Sequence, residues 1–351
     1  MTVAGRPPSD GGLGDAAAGR VVIRAPNHLG DLVMALPAIE AAGTADVMVR
    51  RWLVPLLEMA LLRGRILPLD GGRAGFLRAA RVLRERRYRR GVLLAPSFSS
   101  AFLFALGGVR ERRGTATDGR SFLLSDPVAT GTLVGMHRAA AYLQLVTGSP
   151  ADGPPPLPRL AIPDALRDAW EQLVGPPGGA RIGIFPGSNA SSRRWDADRF
   201  AELVARLAGE GVQVVVFGGP GERELTARVA GRAAFDAGGR TDLPLLAAGL
   251  ASCDLLVTND SGPMHLAAAV GTPTVSLWGA GDPASTGPLG AGHVLMRHPE
   301  LPCVPCVKNQ CPRRGAGTYL PEAERECLRL ITVDQVAARI FGRLAELRSI
   351  A

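Results

Sequence analysis

The feature that most constrains this chain is an alternation of short apolar strand signals and helix signals that occurs twice. In the first half, a strand pattern at 21–25 and a helix pattern at 31–42 open the alternation. In the second half, the same order restarts with a strand at 181–185 and a helix at 196–208. A helix between two strands crosses back over the sheet, so successive strands pair in parallel. The sequence therefore predicts an α/β protein with two parallel sheets.

A proline-rich segment separates the two halves. Residues 148–158 contain five prolines in eleven positions, and proline continues neither a helix nor an inner strand because it lacks a backbone N–H. The carboxyl ends of the two sheets are then expected to face one cleft, where ligands bind in such folds. The predicted units are a disordered tail at 1–19, an N-terminal domain at 20–148, a linker at 149–158, a C-terminal domain at 159–330, and a C-terminal helix at 331–351 that packs back toward the N-terminal domain.

Positive charge is concentrated in the first half of the chain. Residues 1–150 carry 20 Arg and Lys against 11 Asp and Glu, whereas residues 151–351 carry 20 against 21. One interpretation is a solvated helix face, and the other is a field that attracts an anionic lipid head group, a membrane surface or nucleic acid. Nucleic acid is the least favoured partner, because no aromatic stacking platform follows the run. The arginines proposed to form this patch are Arg78, Arg81, Arg84 and Arg87.

Two classes of protein are not expected from this sequence. No apolar run reaches 18 residues, so no transmembrane helix is predicted, and the first 19 residues lack the apolar core of a signal peptide.

Because no signal peptide is predicted, the cysteines are expected to stay reduced. Four of them follow the order C-x2-C-x4-C-x15-C, which suits either a structural zinc ion or simple packing in a proline-rich loop. These are Cys303, Cys306, Cys311 and Cys327.

The first chemical motif lies where the first strand passes into the first helix. Asn27, His28, Gly30 and Asp31 occupy this junction, and Gly30 permits a tight turn. Asp31 suits two roles: it is either an N-cap of the helix or a general base that faces the cleft and takes a proton from a substrate hydroxyl. His28 is a second candidate base, or a residue that orients one.

The turn after the strand at 181–185 has a composition that suits phosphate. Ser188 and Asn189 follow a proline and a glycine, and Arg193 comes shortly after them. Free backbone N–H groups, a hydroxyl and a guanidinium together bind anions, although an ordinary strand-to-helix turn has similar residues. The turn is not a Walker A loop, because the required lysine is absent.

The strongest motif follows the strand at 254–258 and opens a small, apolar helix. A buried helix start offers unpaired N–H groups and about half a positive charge, which suits a diphosphate that is neutralised without metal. The alternative is a plain Asp or Ser cap with a buried core histidine. Glu222, after a third turn, is a candidate for binding ribose hydroxyls. The residues of the strongest motif are Asp260, Ser261, Gly262 and His265.

In this order and spacing, the motifs resemble the heptosyltransferases of lipopolysaccharide core assembly, which form glycosyltransferase family 9. The resemblance covers about 21–348, and the Asn-x-x-Gly-Asp form is closest to the heptosyltransferase II branch. It is carried by Asn27-His28-Leu29-Gly30-Asp31, by Pro186-Gly187-Ser188 with Arg193-Arg194-Trp195, by Asn259-Asp260-Ser261-Gly262-Pro263-Met264-His265, and by the Cys-x-x-Cys loop.

The resemblance implies a GT-B fold, in which two Rossmann-like α/β domains face each other across a cleft. The N-terminal domain would bind an anionic, lipid-linked acceptor, and the C-terminal domain would bind an ADP-activated heptose. Transfer would be inverting, independent of metal and without a cofactor. The implied roles are general base for Asp31, ribose binding for Glu222, acceptor or loop positions for Asn27, His28 and Gly30, and diphosphate binding for Ser188, Asn189, Arg193, Asp260, Ser261, Gly262 and His265.

The sequence departs from the family at Arg193, where the family usually has lysine. The positive charge is kept, but the planar guanidinium is bulkier than an ammonium group. We further expect a cytoplasmic monomer that is peripheral at the inner face of the inner membrane, with no nucleic-acid partner. Two other interpretations are a GT-B enzyme for a different nucleotide sugar or acceptor, and a nucleotide-sugar-binding protein that does not catalyse transfer.

Overall fold

Two parallel six-stranded sheets, each built from one half of the sequence, form the framework of the protein. They are seen in a computed structural model that describes residues 20–150, 153–312 and 318–350. The predicted α/β class is therefore confirmed, whereas the tail predicted at 1–19 lies outside the described residues. Within the described ranges, no helix has both the length and the apolar character that a bilayer crossing needs.

The first sheet has the strand order β3-β2-β1-β4-β5-β6. Its chain runs outward from β1 to β3 and then returns to β4, so the order reverses between β1 and β4. In chain order its elements are β1 (Val21–Arg24), α1 (Leu29–Ala41), β2 (Asp46–Arg50), α2 (Val54–Glu58), β3 (Ile66–Leu69), α3 (Gly72–Arg86), β4 (Arg90–Leu93), α4 (Phe98–Leu106), β5 (Glu111–Thr115), β6 (Asp126–Val128) and α5 (Arg138–Thr147).

The second sheet has the strand order β12-β11-β10-β7-β8-β9 and reverses between β7 and β10. Its elements are α6 (Asp164–Val174), β7 (Arg181–Phe185), α7 (Ala197–Gly209), β8 (Gln213–Val216), α8 (Arg223–Ala230), β9 (Phe235–Asp236), α9 (Leu243–Ala251), β10 (Leu255–Asn259), α10 (Gly262–Ala269), β11 (Thr274–Trp278), α11 (Pro283–Thr286), β12 (Val294–Arg297), α12 (Glu326–Arg329) and α13 (Val333–Ile350).

Burial explains why the inner strands read as continuous apolar runs. Every residue of β7, β10 and β11 is buried, as expected for parallel strands that are covered by helices on both faces. Because the order reverses at β1/β4 and at β7/β10, the turns that follow β1, β7 and β10 open at the switch points where such sheets bind ligands.

The two domains meet where α1 and α10 begin. A Cβ atom on Gly30 would lie 2.7 Å from Cδ2 of His265 and 3.2 Å from Cα of Gly262. A Cβ atom on Gly262 would in turn lie 3.1 Å from Cβ of Leu29. Only glycine at both positions lets the two helix starts approach this closely. The motif of each domain is thereby held against the motif of the other.

The chain that follows the proline-rich segment is bonded to both domains. Leu160 N–H donates to Ala269 O at the end of α10 (3.0 Å), and Ala161 N–H donates to Met59 O in the first domain (2.9 Å). The α6 helix then packs on α9, with Trp170 fully buried. The crossover is therefore an ordered part of the domain interface.

The last helix packs differently from the expectation. The buried side chains of α13, Val336, Ala337, Ile340 and Leu344, belong to the core cluster of the second sheet, and the helix contacts α7 and β11. The expectation that this helix returns to the N-terminal domain is therefore wrong for the side chains that the structure describes. The reason is that its apolar face completes the outer layer of the second sheet.

Candidate functional site

The first domain contributes Asp31, which lies in the first turn of α1. The N-cap residue of that helix is His28, so the interpretation of Asp31 as a plain N-cap is wrong. Its Oδ1 atom instead accepts a hydrogen bond from the Arg138 guanidinium at 2.7 Å. The Asp31 side chain is 20% exposed, and no hydrogen bond within the described residues reaches its Oδ2 atom. One oxygen of this partly exposed carboxylate is therefore without a hydrogen-bond partner in the described part of the chain.

The other residues of the first motif have local roles. Asn27 accepts a hydrogen bond from the buried Arg24 guanidinium, which fixes the turn after β1. His28 is exposed and makes no side-chain capping bond, so its imidazole is free to meet a ligand. Gly30 provides the close approach to α10 described above. Asn27 and Gly30 therefore shape the turn, while His28 and Asp31 present polar groups.

The second domain contributes the start of α10, where Ser261 is the N-cap residue. Its hydroxyl makes no capping bond to the helix; it lies 3.3 Å from the hydroxyl of Thr258. The interpretation of this motif as a plain Ser or Asp cap is therefore wrong. Pro263 in the first turn has no N–H to donate, and Gly262 lets the start of α1 pack against this helix start. The start of α10 keeps the positive end of its dipole available to an anion.

Asp260 and Arg193 bring opposite charges together at this helix start. Arg193 Nη1 lies 3.1 Å from Asp260 Oδ2, and the two side chains are 28% and 3% exposed. Neither Asp260 Oδ2 nor Arg193 Nε makes a hydrogen bond within the described residues, so this contact is an ion pair without hydrogen-bond geometry. Burial raises the pKa of Asp260 to about 6, against the opposing effects of Arg193 and Arg138. Buried polar groups left unsatisfied in this way are uncommon in folded proteins and often mark a functional site.

His265 lies beneath the same helix start and is 6% exposed. Burial, followed by the nearby charges of His137, Arg138 and His293, lowers its pKa to about 3. The imidazole is therefore neutral at physiological pH. A neutral imidazole can contribute a hydrogen bond but no positive charge.

The turn after β7 is held to the turn after β10 by Asn259. Its side-chain Oδ1 accepts from Trp195 N (2.9 Å), and its Nδ2 donates to Pro186 O (2.7 Å). Arg194 Nε closes the turn on Ser188 O at 2.6 Å. Ser188 is buried and Asn189 is exposed. The motifs predicted separately at Ser188–Arg193 and Asp260–His265 thus form one site, with Asn259 as the link that sequence analysis did not assign.

Glu222 lies at the same edge of the second sheet but has a structural partner. Its Oε2 atom accepts from Gly219 N at 2.8 Å. A Cβ atom on Gly187 would lie 1.8 Å from its Oε1 atom, so the carboxylate rests directly on the backbone of the turn after β7. Because position 187 is a glycine, the Glu222 side chain fits beside the turn after β7. The role of Glu222 in binding ribose remains a prediction.

Arg138 is the site residue that sequence reasoning missed. It lies in the first turn of α5, contacts Asp31 directly, and its charge acts on both Asp31 and Asp260. The preceding residue, His137, reaches across the cleft, where its Nε2 lies 3.0 Å from Gly287 O. The only sequence signal was a histidine and an arginine at the start of a predicted helix in the acceptor domain.

The cysteine loop does not form the metal site considered above. Among the described residues, no group of three or more His, Cys, Asp or Glu side chains is placed to hold a metal ion. The four thiols are free, and burial followed by the neighbouring thiols raises the pKa of Cys327 to about 11. The loop is held by its backbone instead, since Val307 N–H donates to Ala280 O at 2.7 Å. The expectation of a structural metal at Cys303, Cys306, Cys311 and Cys327 is thus not supported by their placement.

The fold and the site define the class of protein. Two Rossmann-like α/β domains that face one cleft, with a helix start lacking a side-chain cap on one side and a carboxylate on the other, form a glycosyltransferase of the GT-B fold. The sequence model of glycosyltransferase family 9 (heptosyltransferase) matches residues 76–316. The chain belongs to this family.

Similar proteins agree with this assignment. Lipopolysaccharide heptosyltransferase 2 of Escherichia coli K12 is 30% identical over 297 residues, which cover 77% of this chain and 85% of that protein. The structure of E. coli ADP-heptose lps heptosyltransferase II has a TM-score of 0.78 and 25% identity, and the match covers 94% and 99% of the two chains. The iron-containing dodecameric glycosyltransferase TibC of enterotoxigenic E. coli H10407 shares the fold, with a TM-score of 0.61, 17% identity and coverage of 94% and 77%.

Asp260→Asn should stabilise the folded protein at pH 8 more than at pH 4. Since burial raises the pKa of Asp260 from 3.8 to about 6, wild-type stability falls as the pH rises through this interval and the buried group loses its proton. The neutral amide avoids that loss. The difference in unfolding free energy between the variant and the wild type should grow by roughly 2–3 kcal/mol from pH 4 to pH 8, as measured by urea unfolding.

The matched control for this experiment is Asp168→Asn, which changes an exposed carboxylate on α6. Its effect on the unfolding free energy should be nearly the same at both pH values. If the difference for Asp260→Asn is equally flat, the carboxylate does not carry a buried charge and the site has been described wrongly.

Proposed function

We propose that this heptosyltransferase transfers a heptose from ADP-heptose to an anionic, lipid-linked core oligosaccharide by direct, inverting displacement that needs no metal. The observation that carries the proposal is the meeting of α1 and α10. It sets a carboxylate with one free oxygen opposite a helix start with unsatisfied anion-binding groups. Such a pair suits an acceptor hydroxyl on one side and a leaving diphosphate on the other.

Asp31 would act as the general base. Arg138 holds Oδ1 at 2.7 Å and leaves Oδ2 to take the proton of the acceptor hydroxyl. The guanidinium fixes the orientation of the carboxylate, and its charge is available to a phosphate of the acceptor or the donor. The deprotonated oxygen then attacks the anomeric carbon, the bond to the diphosphate breaks, and ADP leaves.

Groups that surround the start of α10 would stabilise the negative charge of the leaving diphosphate. The start of α10 offers N–H groups and a partial positive charge. Arg193 has an unsatisfied Nε atom beside it, and neutral His265 can donate one hydrogen bond. Ser188 and Asn189 in the turn after β7 complete the set, and Glu222 would bind the ribose. These groups replace the charge that a divalent cation supplies in other transferases.

Asp31→Asn should lower kcat by about 10²–10⁴-fold, the usual contribution of a general base. The binding of ADP should change little, because Asp31 lies on the other domain. The measurement is the release of ADP from ADP-heptose in the presence of a lipid-linked inner-core acceptor, with Asp168→Asn as the control. Near-wild-type turnover of Asp31→Asn would contradict the proposal that Asp31 is the general base.

The same assay distinguishes the alternatives for the donor and for catalysis. Release of UDP from a UDP-sugar, with none of ADP from ADP-heptose, would show a GT-B enzyme for another donor. Tight binding of ADP-heptose without any transfer would show a binding protein. Turnover that stops when metals are chelated would contradict the metal-independent mechanism.

We also propose that the first domain rests on an anionic membrane surface through its α3–α4 face. Four phenylalanine rings form a continuous chain there, with centroid separations of 5.8 Å for Phe76–Phe102, 6.3 Å for Phe98–Phe102 and 6.1 Å for Phe98–Phe122. Phe98, Phe102 and Phe122 are 40%, 44% and 75% exposed. Exposed aromatic rings beside positive charge suit the interface of an anionic bilayer.

The arginine patch of Arg78, Arg81, Arg84 and Arg87 supplies that positive charge only in part. Arg78 is paired with Asp70 at 3.1 Å, so its charge is partly neutralised. No carboxylate of the described residues lies within ion-pair distance of Arg81, Arg84 or Arg87. Arg81 and Arg84 follow the exposed Leu77 at spacings that place all three on one face of α3. Because α4 begins at Phe98, shortly after the carboxyl end of β4 at Leu93, this face adjoins the mouth of the cleft.

Replacing Phe98 and Phe102 with serine, or Arg81 and Arg84 with glutamate, should weaken binding to phosphatidylglycerol vesicles by at least about tenfold at low salt. Apolar burial in the interface and attraction to anionic lipid both contribute to binding. Vesicle sedimentation measures the effect, with Leu295→Ser and Arg232→Glu on the second domain as controls. Equal binding of all variants would exclude this face as the membrane contact.

A further inference from the structure

A strap at 303–312 crosses the carboxyl edge of the second sheet. At one end Val307 N–H donates to Ala280 O in the loop after β11 (2.7 Å), and at the other Ser192 N–H donates to Asn309 O in the turn after β7 (3.1 Å). The Ser192 hydroxyl also donates to Lys308 O at 2.5 Å. Because β10 lies between β11 and β7 in the sheet, the strap passes over the end of β10, next to Asp260.

A cavity of about 570 Å³ opens between the strap and the turn after β7. Volumes of roughly 300–1,000 Å³ are usual for small-molecule sites. Among the described residues, its walls carry amides, a hydroxyl, a phenol ring and one ammonium group, and no carboxylate. The groups used below are those of Asn189, Ser191, Lys308, Asn309, Gln310 and Tyr319.

The chemistry of these walls selects for a particular class of ligand. Amides and hydroxyls pair with several sugar hydroxyls at once, and an aromatic ring offers an apolar face for a pyranose. The exposed ammonium group of Lys308 can pair with an anion, for which a phosphate is a common partner. A neutral sugar would leave this charge unpaired, and an inorganic anion would leave the amides unused.

Lys308 stands out in the composition of this chain. Lys and Arg total 40 residues, and Lys308 is the single lysine. Its backbone carbonyl accepts a hydrogen bond from the Ser192 hydroxyl, so the base of the side chain is anchored where Lys308 lines the cavity. Lysine provides a compact point charge on a flexible stem, which suits a small cavity better than a planar guanidinium.

We propose that this cavity binds a phosphorylated sugar and that Lys308 pairs with its phosphate. Since the cavity shares Asn189 and Ser191 with the turn assigned to the donor, the proposal deepens the proposed function and rests on it for the identity of the substrate. Two sources have this chemistry: the heptose diphosphate of the donor and a phosphorylated sugar of the acceptor. Lys308 is then a substrate-binding residue for whichever of them fills the cavity.

The single lysine permits a direct test on the full-length protein. Reductive methylation with ¹³C-formaldehyde labels Lys308 and the α-amino group and keeps the positive charge. The Lys308 signal should shift with mannose 6-phosphate but not with mannose at the same concentration. ADP-heptose and a phosphorylated core oligosaccharide, added separately, then identify the source. A Lys308 signal that none of these phosphorylated ligands moves would overturn the proposal.

Kinetics of variants provide the second measurement. Lys308→Gln should raise the KM of the substrate that fills the cavity by about tenfold or more, as expected for one charge-assisted contact, with kcat changed less than about threefold. Lys308→Arg should recover most of the loss. The control Arg232→Gln, which removes an exposed cation just after α8, should have wild-type kinetics. An unchanged KM for both substrates in Lys308→Gln would overturn the proposal.

The two proposals fail in different ways. If the wild type transfers no heptose from ADP-heptose, the proposed donor is wrong, while the mannose 6-phosphate comparison still decides whether the cavity binds a phosphorylated sugar. If the wild type is active and the Lys308 signal stays fixed, only the assignment of the cavity is wrong.

Discussion

The site depends on one close contact, the approach of the start of α1 to the start of α10. Gly30 and Gly262 lie so close together that a Cβ atom on either would be too near atoms of the opposite domain. This contact places Asp31 of the first domain opposite the uncapped helix start of the second. Neither domain alone contains both the Asp31 carboxylate and this helix start, so the proposed chemistry belongs to their interface rather than to either sheet.

Two ion pairs, one in each domain, lie around this contact. Arg138 holds Asp31, and Arg193 holds Asp260, whose burial raises its pKa to about 6. Two buried polar atoms here, Asp260 Oδ2 and Arg193 Nε, have no hydrogen-bond partner within the described residues, which is costly for a folded protein. That cost is understandable if a diphosphate completes the network. Arginine at 193, where family 9 usually has lysine, keeps the charge and adds further donors to the same place.

Much of the site could be predicted because its groups follow strands with strong apolar patterns. The turns after β1, β7 and β10 were identifiable from glycine, serine and aspartate at the strand ends. The strand β5 (Glu111–Thr115) was missed because Arg112 and Arg113 hide its pattern, and their side chains donate to the backbone carbonyls of Leu123 and Leu145 instead. Arg138 was missed because it reaches Asp31 across 107 residues of sequence, and the packing of α13 depended on tertiary contacts that no local pattern encodes.

Titration calorimetry of ADP in the presence of EDTA tests the central claim most directly, namely that the start of α10 and Arg193 bind the diphosphate without metal. ADP should bind the wild type equally well with EDTA and with Mg²⁺. Arg193→Gln should weaken ADP binding by about 10–100-fold, the range expected for charge-assisted bonds to phosphate, and should affect AMP less. ADP binding that requires Mg²⁺, or that is unchanged in Arg193→Gln, would contradict this account of the site.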